Sequence, residues 1–145
     1  TTGAQFDVGA TPSHVIAADF DGDRKLDVGA ANSSEHSASV LLGVGDGTLK
    51  KEFRMQADLG SGSLCAVDLD LDQRLDLVVA NHDAGRLSTF LGKGDGTFTA
   101  GPTVELGGGR PYFLACGDLD GDGRPDVVVP DDSGFIAWIL RTIAP

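Results

Sequence analysis

The chain has few basic residues, few aromatics, and very little cysteine or histidine. Only 11 of its 145 residues are Lys or Arg, against 22 Asp or Glu, so the formal charge is −11. A nucleic-acid binder needs a basic face for phosphates, and this balance argues against one. No apolar run approaches the roughly 20 residues of a membrane-spanning helix. No secretory leader is visible at Thr1, as expected of a mature or trimmed chain. Two cysteines, Cys65 and Cys116, are too few for a disulfide framework. Nor does any window sustain a 3.6-residue apolar period, so helices are not expected. Disorder is excluded by a 41% hydrophobic content that falls in short, regular runs.

Glycine and aspartate are abundant. There are 21 Gly, and the runs between them are short and rich in β-branched residues, which points to an all-β protein with many turns. The acid is concentrated in three clusters that begin at Asp19, Asp68 and Asp118, spaced 49 and then 50 residues apart. Each has Asp at positions 1, 3, 5 and 9: Asp19, Asp21, Asp23 and Asp27; Asp68, Asp70, Asp72 and Asp76; Asp118, Asp120, Asp122 and Asp126. Short apolar runs flank each cluster. Gly45-Asp46-Gly47-Thr48 and Gly94-Asp95-Gly96-Thr97 mark hairpin turns in the first two repeats. A fixed period in this range signals a repeat architecture. The order within a repeat reads strand, Asp loop, strand, turn, strand, Asp-Gly turn, strand, which is the pattern of a β-propeller blade. The repeats are expected at about 11–60, 61–109 and 110–145, in one domain over 1–145.

Four carboxylates within nine residues repel one another, and a hard divalent cation would neutralise them. Ca²⁺ takes six to eight oxygens in flexible geometry, whereas Mg²⁺ demands an octahedron and keeps its waters. The expected ligands are the twelve aspartates and the seventh-position backbone carbonyls of Lys25, Arg74 and Arg124, giving up to three Ca²⁺ per chain. The middle loop has Leu71 and Gln73 where the third has Gly121 and Gly123, so the middle site is expected to be the weakest. An EF-hand would need Glu at position 12, where this chain has Ala30, Val79 and Val129.

These residues resemble the FG-GAP/VCBS repeat family, the blades of integrin α-subunit propellers and of many secreted bacterial proteins. The matching features are the three Asp loops, the runs ending in Asn32 and Asn81, Val40-Leu41-Leu42-Gly43 and the two Gly-Asp-Gly-Thr turns. The resemblance implies a propeller with Ca²⁺ between the first and second strands of each blade. It also implies a non-enzymatic role in extracellular or periplasmic recognition or adhesion, lectin-like or protein-binding. A purely structural, self-assembling module is the alternative.

A propeller has roughly 4–8 blades, and three are present here. Gln5–Val8 reads as an outer strand without its blade, while the third repeat lacks one. Two chains joined head to tail would give a closed homo-oligomeric ring of six blades. Cys65 and Cys116 lie three and two residues before their first Asp, on opposite faces of equivalent strands, so they are expected as separate buried thiols. His14, His36 and His82 occupy different repeat positions and are not expected to converge on a zinc or catalytic site. Gly107–Gly109 reads as a turn between blades, with no helix after it to make a phosphate cradle. Trp138 is expected in the core, Tyr112 is a possible ligand contact, and Phe20 should pack under its loop. Arg86 and Arg110 are expected in loops.

Overall fold

A computed structural model describes residues 3–131 and the backbone of residues 136–141. The described residues form twelve strands in three antiparallel sheets, with no helix among them. Consequently no described helix is long and apolar enough to cross a membrane.

The first sheet has the order β1 (Pro12–Ala18), β2 (Asp27–Asn32), β3 (Ser37–Leu41), β4 (Phe53–Gln56). The second runs β5 (Ser61–Val67), β6 (Asp76–Asn81), β7 (Arg86–Gly92), β8 (Phe98–Ala100). β9 (Val104–Glu105) pairs with the other end of β7, so the fourth strand is split around Gly101 and Pro102. The third sheet contains β10 (Ala115–Gly117), β11 (Asp126–Asp131) and β12 (Ile136–Arg141). The strand–loop–strand order expected from the sequence is therefore present in the first two repeats. In the third, the expected strand over Tyr112–Cys116 is shortened to β10, with an isolated bridge from Pro111 to Asp131.

Each Asp-Gly turn closes a hairpin by the same bonds. The Val44 and Lys93 amides donate to the Thr48 and Thr97 carbonyls, at 3.0 and 2.9 Å. Asp46 and Asp95 each accept the amide and hydroxyl of the Thr two residues on. Those donors hold both carboxyls below the usual aspartate range.

The sheets stack face to face, and both faces of the middle sheet are apolar. That explains why β6 is buried along its whole length instead of alternating. At the first junction, Ala31, Val40 and Met55 pack with Leu64, Leu77, Val79 and Phe90. Phe20 lies edge-on to Phe98, with ring centroids 5.7 Å apart, and is 2% exposed, as expected for a side chain seated under its loop. At the second junction, Val78, Ala80 and Leu87 meet Leu114, Val127 and Val129.

Polar contacts fix the strands across the first junction. The Ser13 hydroxyl donates to the Ser61 carbonyl at 3.0 Å. His14 Nδ1 accepts the Leu64 amide, and His36 Nδ1 accepts the Gly60 amide, each at 3.3 Å. At the end of β6, buried Asn81 accepts the Asp58 amide and the Ser61 hydroxyl and donates to Ser88. That ties the connection between the first two sheets to the second.

Two expectations are corrected. Gln5–Val8 forms no strand; Gly9, just after it, lies against Asn32 so closely that a Cβ there would sit 2.5 Å from the Asn32 Cγ. Cys65 and Cys116 form a disulfide, with Cα atoms 6.1 Å apart. They do point to opposite faces of equivalent strands, but in a stack the facing surfaces of two neighbouring sheets are opposite faces. Cys65 pairs with Val78 across its ladder and Cys116 with Val127, on the two surfaces that meet at the second junction. At the first junction the equivalent residues, Ile16 and Ala66, pack without a covalent link. The Trp138 side chain lies outside the described residues.

The disulfide links residues 51 apart, and a loop of that size should contribute about 2–4 kcal/mol. Cys116→Ser, or reduction of the native chain, should lower the melting temperature by several degrees. An unchanged melt under reductant would contradict this.

Candidate metal centres

Each Asp loop joins the first strand of a sheet to the second, and all three follow one path. Positive φ recurs at the fourth and sixth positions: Gly22 and Arg24, Leu71 and Gln73, Gly121 and Gly123. The middle loop therefore holds the same conformation without glycine, with φ of 63° at Leu71 and 69° at Gln73. A non-glycine residue there costs about 1–2 kcal/mol.

The first aspartate organises the turn. Asp19 Oδ1 accepts the Gly22 and Asp23 amides at 2.8 and 3.1 Å, and Oδ2 accepts the Arg24 amide at 2.8 Å. Asp68 accepts the Asp72 and Gln73 amides, and Asp118 those of Gly121 and Gly123. At the third position, Asp21, Asp70 and Asp120 each accept the amide two residues on. At the fifth position, Asp23, Asp72 and Asp122 accept the amides of Lys25, Arg74 and Arg124, each at 2.9 Å.

The ninth-position aspartate is the anchor. Asp27 and Asp76 are 0% exposed and Asp126 is 3% exposed. Asp27 Oδ2 accepts the Phe20 amide at 2.7 Å, and Oδ1 accepts the Gly43 amide at 2.8 Å. Asp76 repeats this with Leu69 at 2.8 Å and Gly92 at 2.7 Å, and Asp126 Oδ2 accepts the Leu119 amide at 2.9 Å. One carboxylate thus ties the Asp loop to the end of the third strand. Burial raises the Asp76 carboxyl above the usual aspartate range; the Gly92 and Leu69 amides oppose the rise, and the nearby charges of Asp70 and Asp72 add to it. A raised folded value means that this group withdraws stability as pH climbs above 3.8, where it must ionise inside the fold. A cation beside it would remove that penalty.

The structure gathers carboxylate oxygens into three groups: Asp19, Asp21 and Asp27; Asp68, Asp70 and Asp76; Asp118, Asp120 and Asp122. Within each group the oxygens lie within 4.8 Å of one another. The fifth position is turned aside in the first two loops. Asp23 pairs with Lys25 Nζ at 2.7 Å, and Asp72 with the Arg74 guanidinium. The donor set is all oxygen, dense and anionic, and it fits a hard divalent cation better than a soft metal.

The remaining polar residues singled out in the sequence lie elsewhere. His14 and His36 lie in the polar contacts between the first two sheets, while the His82 ring meets the Tyr112 edge at a centroid distance of 5.1 Å. Arg86 is at the start of β7, not in a loop, and pairs with Asp58 at 2.7 Å and Glu105 at 3.1 Å. Arg110 is exposed, and its amide donates to Asp131 at 2.9 Å. Gly107–Gly109 forms a turn in which the Gly109 amide donates to the Leu106 carbonyl at 3.1 Å. Sequence reasoning missed the polar junction formed by Ser13, His14, His36 and Asn81. The one signal available was the Asn that ends the second-strand run in the first two repeats.

Gln73→Gly and Leu71→Gly should each raise stability by about 0.5–1 kcal/mol, as relief of left-handed strain exceeds the added chain entropy. Asp76→Ala, which strands two buried amides, should cost about 3 kcal/mol. Denaturant melts check both; loss of stability in the glycine variants would show that the loop does not take this path.

A scan against protein families matches the FG-GAP-like repeat over residues 19–79 and again over residues 68–129. No curated protein sequence matches the chain. The two matches overlap across the middle Asp loop and together span all three acidic clusters, so the chain belongs to the FG-GAP-like repeat family.

Proposed function

We propose that this chain is a calcium-binding β-propeller module for extracellular recognition or adhesion, non-enzymatic, with a glycan or a protein as its ligand. The observation that carries the reading is the threefold grouping of carboxylate oxygens at one structural position, the loop between first and second strands. Membership of a repeat family built for such loops supports it. Asp19, Asp21 and Asp27 would hold one ion; Asp68, Asp70 and Asp76 a second; Asp118, Asp120 and Asp122 a third. Asp23, Asp72 and Asp126 and the carbonyls of Lys25, Arg74 and Arg124 would complete the shells. Bound Ca²⁺ supplies positive charge where the loops concentrate negative charge, and its binding free energy adds to folding.

The chain's own residues set the loops in advance. The buried ninth aspartates hold the loop ends, and the first-position aspartates hold the turns. The histidines lie apart, in sheet junctions and loops, which supports a binding role over a catalytic one. The family's usual setting supports an extracellular or periplasmic location.

A calcium titration followed by thermal melting tests the proposal. Ca²⁺ should raise the melting temperature, EDTA should reverse the gain, and Mg²⁺ at equal concentration should give less. A melt indifferent to all three would sink the reading. Glycan-array binding that appears with Ca²⁺ and vanishes with chelator would place the ligand among sugars.

A further inference from the structure

The seventh-position side chain tracks whether the fifth-position aspartate joins its loop's group of carboxylates. In the first loop Lys25 Nζ lies 2.7 Å from Asp23, and the close oxygens come from Asp19, Asp21 and Asp27, without Asp23. In the middle loop the Arg74 guanidinium pairs with Asp72, and the group is Asp68, Asp70 and Asp76, without Asp72. In the third, Arg124 forms no ion pair among the described residues, and Asp122 joins Asp118 and Asp120.

Both pairs are clipped in place. Asp23 and Asp72 each accept the backbone amide of the residue with which they pair, at 2.9 Å, so each carboxylate is held at two points. The cationic stems lie against the Asp-Gly hairpin of their own repeat. A Cβ on Gly45 would sit 2.7 Å from the Lys25 Cδ, and one on Gly94 would sit 2.8 Å from the Arg74 Cδ. Arg74 Nε also donates to the Gly92 carbonyl at 3.2 Å. In the first loop a second cation, Lys50 Nζ, lies 3.9 Å from Asp21.

We infer that Lys25 and Arg74 are tethered cations that compete with Ca²⁺ for Asp23 and Asp72, and so weaken calcium binding in the first and middle loops. The inference rests on the calcium reading above. A carboxylate turned toward its own cation serves a metal only when that pair opens. The charge count of the ligands tunes affinity in calcium loops, and neutralising one carboxylate of four shifts a site toward the roughly 10⁻⁴–10⁻³ M of extracellular modules. Both pairs are solvent-exposed, so the effect is modest, about two- to fivefold per site.

A Ca²⁺ titration followed by the amide resonances of Gly22, Leu71 and Gly121, one in each loop, tests this. Met keeps the stem and removes the charge. Lys25→Met and Arg74→Met should each lower the Ca²⁺ midpoint of their own loop about two- to fivefold and leave the other loops where they were. Arg74→Lys, which restores the arrangement of the first loop, should stay near wild type. Lys93 lines the same cleft as Arg74 and forms no ion pair among the described residues. Lys93→Met therefore removes an equal charge without freeing Asp72, and should shift the middle loop less than Arg74→Met. Equal shifts from those two variants would reduce the effect to general charge and overturn the inference, as would no shift from either. In both cases the calcium reading stands. If no loop responds to Ca²⁺ in the wild-type chain, that reading fails and this inference falls with it.

Discussion

Mutual repulsion among clustered carboxylates is the constraint on which this fold depends. Each sheet brings three carboxylate oxygens within 4.8 Å and buries its ninth-position aspartate at the base of the loop. Backbone amides absorb part of the charge. Asp27 and Asp76 each take two amides, and the first-position aspartates take two or three. Amides carry only partial charges, so the loops remain strongly anionic. A divalent ion in each would bring the formal charge from −11 to −5.

The same anchor links loop chemistry to sheet architecture. Asp27 and Asp76 bridge the loop after the first strand to the glycine that ends the third, Gly43 or Gly92. Only glycine fits there: an added Cβ would lie 2.2 Å from the Leu26 carbonyl oxygen at Gly43, and 2.1 Å from that of Leu75 at Gly92. Stabilising the loop therefore holds three strands in register. This is the route by which a cation at the sheet tip would stiffen the junctions, where Phe20 and Leu69 lead from the loops into the apolar clusters.

Much of this was legible in the sequence, because it is local. Asp at alternate positions followed by a ninth-position Asp specifies a loop whatever surrounds it, and Asp-Gly-Thr specifies its turn. The four-strand order followed from those markers. What was not legible depends on how sheets meet. Cys65 and Cys116 looked incompatible because face alternation describes one sheet, and their contact arises only between two. His14 and Ser13 look like ordinary strand residues until the second sheet supplies the Leu64 amide and the Ser61 carbonyl. Gln5–Val8 has a strand-like pattern but finds no ladder. The middle loop keeps its path without glycine: Asp68 accepts the sixth-position amide as Asp19 and Asp118 do, and Asp76 repeats both bonds of Asp27.

The central claim is that each acidic knot wraps one hard divalent ion, and isothermal titration of the metal-free chain with Ca²⁺ tests it most directly. The account predicts saturable binding approaching three ions per chain, reduced by one when Asp118 and Asp120 are both replaced by Asn. Heats indistinguishable from dilution, or a stoichiometry indifferent to that double replacement, would contradict it.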